Sequence, residues 1–422
     1  MKLKMAHSAH DPASKKSTAF EFLKYIGPGF LVTMGFIDPG NWATNIAAGS
    51  TFGFPIIWTV TLGTIFLIVL QHNSAHLGIA TGLCLSEAST KYMSPLKSRF
   101  VLGTAMLASA ATVFAEILGC GIALQMLTGL PIPVGSTLSA GLIVWMLLSN
   151  SYRKIEKWII GFVSLIGVAF VFELCLVQFD VAHVLVSAFV PEIPKGSMLF
   201  IIGIIGAVVM PHNLFLHSEI IQSRQIADES DEVKEKWMKN EFKDTIFSMS
   251  VGWAINIAII IIAATVFFAN NIVVNELADS ANILAPILGQ HGALVFALAL
   301  LLSGIASSVT TGMAGGSIFT GIFGESYDIK DPHTKAGILA TVLPAAILVF
   351  FVASPLKALI YSQVFLSFQL PITILTLLYL TSSEKVMGKY RNRSALKWLL
   401  YAIAGVIIVL NGYLVVTSVF GV

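Results

Sequence analysis

Eleven apolar runs follow one another from residue 25 to residue 418, each long enough to cross a bilayer at about 1.5 Å of rise per residue. They cover 25–49, 54–80, 101–128, 132–149, 158–179, 198–222, 245–270, 282–312, 336–353, 356–380 and 396–418. The thinnest division lies between the ninth and tenth runs, at 353–357. In hydrocarbon every backbone polar group must be bonded within the protein, so runs of this length fold as helices. The expected fold class is an all-α integral membrane protein with eleven transmembrane helices. Composition agrees, since 11% of residues are charged against about 25% in soluble domains. The chain is 56% apolar, with a mean hydropathy of +0.84.

Residues 1–24 are polar and are expected to form a cytoplasmic tail; residues 25–422 then make one transmembrane domain. No cleavable signal is expected, because the first apolar run is too long and lacks a small-residue cleavage site. Cys84, Cys120 and Cys175 lie in or near apolar runs without metal spacing, and read as small core residues. Nothing in the charge pattern suggests nucleic-acid binding.

Placing the N-terminus inside puts all but two of the 25 Lys and Arg residues on the inner side; the exceptions are Lys195 and Lys357. Basic residues gather on cytoplasmic segments, so span count and orientation support each other. The expectation is a cell-membrane protein with a cytoplasmic N-terminus and an external C-terminus. The stretch from Ile226 to Lys243 is the longest charged segment, and reads as a solvated amphipathic helix joining spans 6 and 7.

Two of the runs are interrupted. Asp38-Pro39-Gly40-Asn41 sits inside the first, and Met210-Pro211-His212-Asn213 inside the sixth. Proline lacks an amide hydrogen and glycine accepts any backbone geometry, so each run should break there. A carboxylate at membrane depth is costly and points to function. The plain alternative is a proline kink with Asp38 paired to a buried donor. Spans 1 and 6 cross in opposite directions, and paired breaks at matching positions of two halves point to a transporter with inverted repeats. The expected repeats are 25–180 and 198–380, each of five spans, with 396–418 added.

The breaks offer a mixed ligand set. Asp38 supplies an anionic oxygen and Asn41 a neutral one, while unwound carbonyls of Gly35 and Ala207 could add more. Met210 supplies a thioether sulfur, unless it is simply core packing. Oxygen with one soft sulfur suits first-row divalent metals and Cd²⁺ better than Mg²⁺ or Ca²⁺. His212 and His217 could relay protons or simply satisfy neighbouring carbonyls.

These motifs, with Gly27-Pro28-Gly29, Leu77-Gly78-Ile79-Ala80-Thr81-Gly82, Ser362-Gln363 and Gln369-Leu370-Pro371, resemble the Nramp family of divalent metal-ion transporters. The likeness runs from about Gly27 to Pro371. It implies a LeuT-like fold with the metal held between the unwound parts of spans 1 and 6. The implied ligands are Asp38, Asn41 and Met210 with the carbonyls of Gly35 and Ala207, joined by Gln363 in an occluded state. It further implies import of Mn²⁺ or Fe²⁺, usually with protons, by alternating access. The chain departs from the family pattern at Val113, where an aspartate is common, at His76, where arginine is usual, and at Asp331–Lys335, which carries no arginine. Glu116 and His212 remain, with His217 as a third candidate for a proton relay. The proton route is therefore expected to be thinned, with weak or no proton influx accompanying Mn²⁺.

The leading expectation is thus a non-enzymatic secondary transporter, monomeric in organisation, importing Mn²⁺ and also Fe²⁺ and Cd²⁺, with metal as cargo and no resident cofactor. A proton-uncoupled or Mg²⁺-competent relative is the first alternative, although Met210 argues against Mg²⁺. An amino-acid or organic-solute transporter is disfavoured because Asp38 would repel a carboxylate. An intramembrane enzyme finds no HExxH or nucleophile motif.

Overall fold

The computed structural model describes residues 28–149, 152–274 and 276–420; the expected tail at 1–24 lies outside them. Among the described residues the chain is helical, without strands. The helices are α1 (Pro28–Thr33), α2 (Pro39–Phe52), α3 (Ile57–Thr81), α4 (Leu85–Tyr92), α5 (Pro95–Thr128), α6 (Ile132–Ser149), α7 (Tyr152–Cys175) and α8 (Val181–Phe189). They continue with α9 (Met198–Val209), α10 (Pro211–Gln222), α11 (Asp231–Val266), α12 (Leu277–Ile322), α13 (Pro332–Leu348), α14 (Pro355–Thr381), α15 (Glu384–Met387) and α16 (Ser394–Phe420).

Counting α9 and α10 as one interrupted helix, 10 helices among the described residues are long and apolar enough to cross a membrane. The first expected span is not an unbroken helix. It consists of α1 with the 3₁₀ turn Met34–Ile37, then α2, with Asp38 between them. The narrow division expected at 353–357 is real, because α13 and its terminal 3₁₀ turn end at Phe351 and α14 begins at Pro355.

The interrupted segments occupy the centre. Of the most apolar part of Met198–Gln222, 89% is buried, against 28% for Lys157–Cys175 and 33% for Ser394–Val416. An outer helix can turn apolar side chains to lipid, whereas a central one must bury all its faces. The helices α5 and α12 pack along each other beside this centre.

Two expectations need correction. Cys84 and Cys120 are buried, but Cys175, at the end of α7, is exposed. The charged stretch before span 7 is not wholly solvated either. It is continuous with the span as the 36-residue α11, and its inner face buries Glu241 and, just beyond, Asp244. Asp244 accepts from Gly29 N at 2.8 Å, tying α11 to the start of α1.

Loops rich in basic residues meet at one end of the bundle. There Gln222 Nε2 donates to Gly82 O at 3.0 Å, Ser326 Oγ to Glu87 Oε1 at 2.7 Å, and Tyr390 OH to Asp231 Oδ1 at 2.6 Å. At the opposite end Trp58 Nε1 donates to Glu192 O at 2.7 Å, beside Lys195 in sequence.

Candidate metal centre

Both breaks follow from the same backbone arithmetic. In an α-helix the carbonyl of residue i accepts from the amide of i+4. Pro39 has no amide hydrogen to give Gly35, and Pro211 has none to give Ala207. Each proline therefore frees one carbonyl four residues earlier, on the apolar side of each break.

At the first break Asp38 takes an extended conformation (φ −75°, ψ 162°) and caps α2. Its carboxylate accepts from Gly40 N at 3.0 Å, from Asn41 N at 3.1 Å and from Asn41 Nδ2 at 2.8 Å. A carboxylate at a helix N-terminus also faces the positive end of the helix dipole. The Phe36 carbonyl accepts from Asn256 Nδ2 at 2.9 Å, and the Ile37 carbonyl from Trp42 Nε1 at 2.9 Å and from Ser303 Oγ. Those two carbonyls are engaged by the protein. Gly35 instead lies so close to the Asn213 amide that no side chain fits on it.

At the second break Met210 has φ 32° and ψ 106° and makes no side-chain cap. A positive φ on a non-glycine residue is strained. Its side chain is fully buried, packed with Ala108 and Leu366. So Met210 does fill core space, and it does so at the interruption.

One hydrogen bond joins the breaks. Asn41 Nδ2, already bound to Asp38, also donates to the freed Ala207 carbonyl at 2.9 Å. The other atom of that amide, Oδ1, has no protein partner. Gln363, on α14, spans the same gap. Its amide lies over Gly40 beside Asp38, and its backbone carbonyl lies over Gly206. Its Nε2 donates to Ser362 Oγ at 3.0 Å, while Oε1 is unpartnered. Asp38, Asn41, Met210 and Gln363 are all inaccessible to solvent, so the site is closed on both sides. A carboxylate, two amide oxygens free of protein donors, a freed carbonyl and a thioether form a donor set that fits a borderline divalent cation.

The three candidate relay residues divide into two groups. Glu116 Oε1 accepts from Thr311 Oγ1 at 2.8 Å, and Thr311 lies 3.3 Å from His212 Nε2. His212 Nδ1 is 3.4 Å from Thr112 Oγ1. His217 is elsewhere, its Nδ1 3.0 Å from Gln71 Oε1 and its Nε2 3.7 Å from Glu241. Val113, between Thr112 and Glu116 in sequence, is buried and offers no titratable atom.

Asn213 was not singled out by the sequence. It is fully buried, and neither amide atom has a hydrogen-bond partner. Its position in Met210-Pro211-His212-Asn213 was the available signal, matching Asn41 in Asp38-Pro39-Gly40-Asn41. Among the described residues, one compact group of three metal-ligating side chains occurs away from the breaks, Glu325, Asp331 and His333. Its atoms already serve each other: His333 Nδ1 is 2.7 Å from Glu325 Oε2, and Asp331 Oδ1 accepts from His333 N at 2.7 Å.

Comparison with known proteins follows this geometry. The family model described as "Natural resistance-associated macrophage protein-like" (Nramp) matches residues 29–417. The divalent metal cation transporter MntH of Caldanaerobacter subterraneus subsp. tengcongensis is 36% identical over 404 residues, covering 95% of this chain and 94% of its own. The crystal structure of the Eremococcus coleocola manganese transporter, in complex with an aromatic bis-isothiourea substituted compound, superposes with a TM-score of 0.82. It is 26% identical and covers 94% of this chain and 87% of its own. Mhp1, a nucleobase-cation-symport-1 family transporter, shares the fold at a TM-score of 0.60 and 16% identity, covering 88% of this chain and 83% of its own.

Proposed function

The chain belongs to the Nramp family, and from that premise we propose that it imports Mn²⁺, with Fe²⁺ and Cd²⁺ as further substrates, across the cell membrane by alternating access. It is a multi-pass membrane protein of LeuT-like fold and not an enzyme. The observation that carries the reading is the Asn41 bridge. One amide fixes Asp38 against the freed Ala207 carbonyl, so the two interrupted helices present one donor set.

Asp38 supplies the negative charge that replaces part of the cation's hydration. Asn41, Gly35 and Ala207 supply neutral oxygens, and Met210 supplies the sulfur that discriminates against Mg²⁺ and Ca²⁺. Gln363 joins when both sides are closed. Alternating access has a physical basis in the halves of each broken helix. Opening one side requires α1 and α10, or α2 and α9, to tilt while the scaffold stays packed. The repeats 25–180 and 198–380 would supply this as two five-span units, with the additional span, 396–418, outside them. Each chain carries the full donor set, which supports a monomer as the working unit.

The distribution of basic residues supports a cytoplasmic N-terminus and an external C-terminus. A cysteine added at the C-terminus should react with an impermeant reagent in intact cells, and Asn392→Cys only after permeabilisation. The opposite pattern would overturn the orientation.

Purified protein in liposomes should take up Mn²⁺ down an imposed gradient, with Cd²⁺ competing and Mg²⁺ in large excess failing to compete. Uptake of amino acids instead of metal would refute the reading, because Asp38 would repel their carboxylates.

A further inference from the structure

A polar cluster inside the bundle is absorbed by neither the metal centre nor the Glu116–Thr311–His212 group. It is built from α3 and from the consecutive helices α10 and α11. From α10 comes His217, fully buried, with Nδ1 on Gln71 Oε1 of α3 at 3.0 Å. From α11 comes Glu241, 2% exposed, which lies 3.7 Å from His217 through Oε1 and 2.6 Å from His72 Nδ1 through Oε2. From α3 comes His72, 26% exposed, and one turn further His76, whose ring stacks parallel to it with centroids 6.3 Å apart. The Tyr390 ring from the basic loop meets His76 edge-on at 6.4 Å.

Accessibility therefore rises from His217 and Glu241 to the partly exposed His72, with the half-buried His76 next to it, toward the end where the basic loops meet. The inner end points back to the metal centre. His217 and Asn213 are four residues apart on α10 and share one helix face. Asn213 Nδ2 and Oδ1, Gln71 Nε2 and His217 Nε2 are buried polar atoms with no hydrogen-bond partner in the protein. Leaving such an atom unpaired costs about 1–3 kcal/mol, so these atoms, on α10 and the facing α3, are places where a water would find bonding partners.

We propose that His217, Glu241, His72 and His76 form a proton relay between the metal-binding core and the basic-loop end of the bundle. The inference rests on the transport reading above. An imidazole takes a proton on one ring nitrogen and releases one from the other. A proton arriving from the core side forms an N–H bond at His217 Nε2, because Nδ1–H already donates to Gln71 Oε1; that Nε2–H bond then breaks as an O–H bond forms on Glu241. After the carboxyl group turns, that O–H bond breaks as an N–H bond forms at His72 Nδ1. His72 then releases its Nε2 proton toward His76 and the aqueous end. One proton moves and no electrons change hands; His217 and Glu241 return to their starting states, and His72, left as its Nδ1–H tautomer, resets by proton exchange with water or a ring flip.

The groups facing the relay are few. On α3 they are His72 and His76, and on α10 His217. On α11 they are Glu241, held by Thr245 Oγ1 at 2.5 Å, and Phe242, which covers the His72 ring at 4.6 Å. The C-terminal loop adds Tyr390, with its hydroxyl on Asp231, and Lys389, paired with the same carboxylate. Asp244, almost one turn beyond Glu241, is committed to Gly29 N.

The relay and the thinned route expected from Val113 predict opposite results in one measurement. Liposomes containing a pH dye are loaded with the parent protein, Glu241→Gln or His72→Gln, and given external Mn²⁺ under an inside-negative potential. The parent should acidify the lumen in step with Mn²⁺ uptake. Each variant should keep Mn²⁺ uptake within about twofold, while proton influx per metal falls about tenfold or more, the scale of a lost acid–base group. The double variant should be no worse than either single one, as expected for steps in series. Calorimetric Mn²⁺ binding checks the fold, and the partly exposed His72 keeps the test open should Glu241→Gln fail to assemble. A parental proton-to-metal ratio in His72→Gln, or no acidification by the parent despite Mn²⁺ uptake, would overturn the relay. Absence of Mn²⁺ uptake by the parent would overturn the transport reading and the relay with it.

Discussion

The two helix breaks share a proline and a freed carbonyl, yet they are finished differently. At the first, Asp38 caps its own helix through two backbone amides and the Asn41 side chain, in an unstrained extended conformation. At the second, Met210 carries a positive φ and its side chain caps nothing. The first break is locally self-sufficient and bears charge; the second is held by its surroundings and bears a polarizable sulfur. The difference suggests a division of labour in which the first break provides affinity and the second provides selectivity and a point of strain.

The largest expected effect tests the charged side. Asp38→Ala removes a ligand, a charge and a helix cap together. Changes one shell further out typically cost 10–100-fold in metal affinity, so Mn²⁺ binding should weaken by about 100-fold or more and transport should cease. Unchanged Mn²⁺ affinity by calorimetry would remove Asp38 from the site.

A smaller effect is expected from the sulfur side. Met210→Ala should leave Mn²⁺ uptake measurable while Cd²⁺ affinity falls about tenfold, a difference of about 1.4 kcal/mol. Ca²⁺ and Mg²⁺ should become better competitors, because water can replace the thioether as a harder ligand. Competition curves identical to those of the parent would show that Met210 only packs against Ala108 and Leu366.

The smallest effect concerns strain alone. Glycine adopts a positive φ freely, so Met210→Gly should be more stable than Met210→Ala by about 1 kcal/mol, although it has one carbon fewer. Thermal unfolding in detergent checks the order. If the alanine variant melts higher, the second break is not strained.

The breaks were legible in the sequence because their causes are local. A proline removes a hydrogen bond at a known spacing, and an aspartate inside an apolar run needs a reason that a reader can see without knowing the fold. Asn41, Met210 and Gln363 became visible beside them through their motifs. The relay was hidden for the opposite reason. Glu241 stands in a stretch whose charges look solvated, and only the packing of α11 against α3 turns it inward next to His72, 169 positions away in the chain. His217 was noticed, but its partners Gln71 and Glu241 were not, since nothing in a linear pattern joins them. Asn213 lay in plain view within a motif, and the lack of a hydrogen-bond partner for its side-chain amide emerges only in three dimensions.

The most direct test of the central claim is the position of the metal itself. Crystals grown with Mn²⁺ and measured by anomalous diffraction should give one strong peak between the two breaks, within bonding distance of Asp38, Asn41, the Ala207 carbonyl and Met210. A peak at Glu325, Asp331 and His333, with none between Asp38 and Met210, would contradict the account.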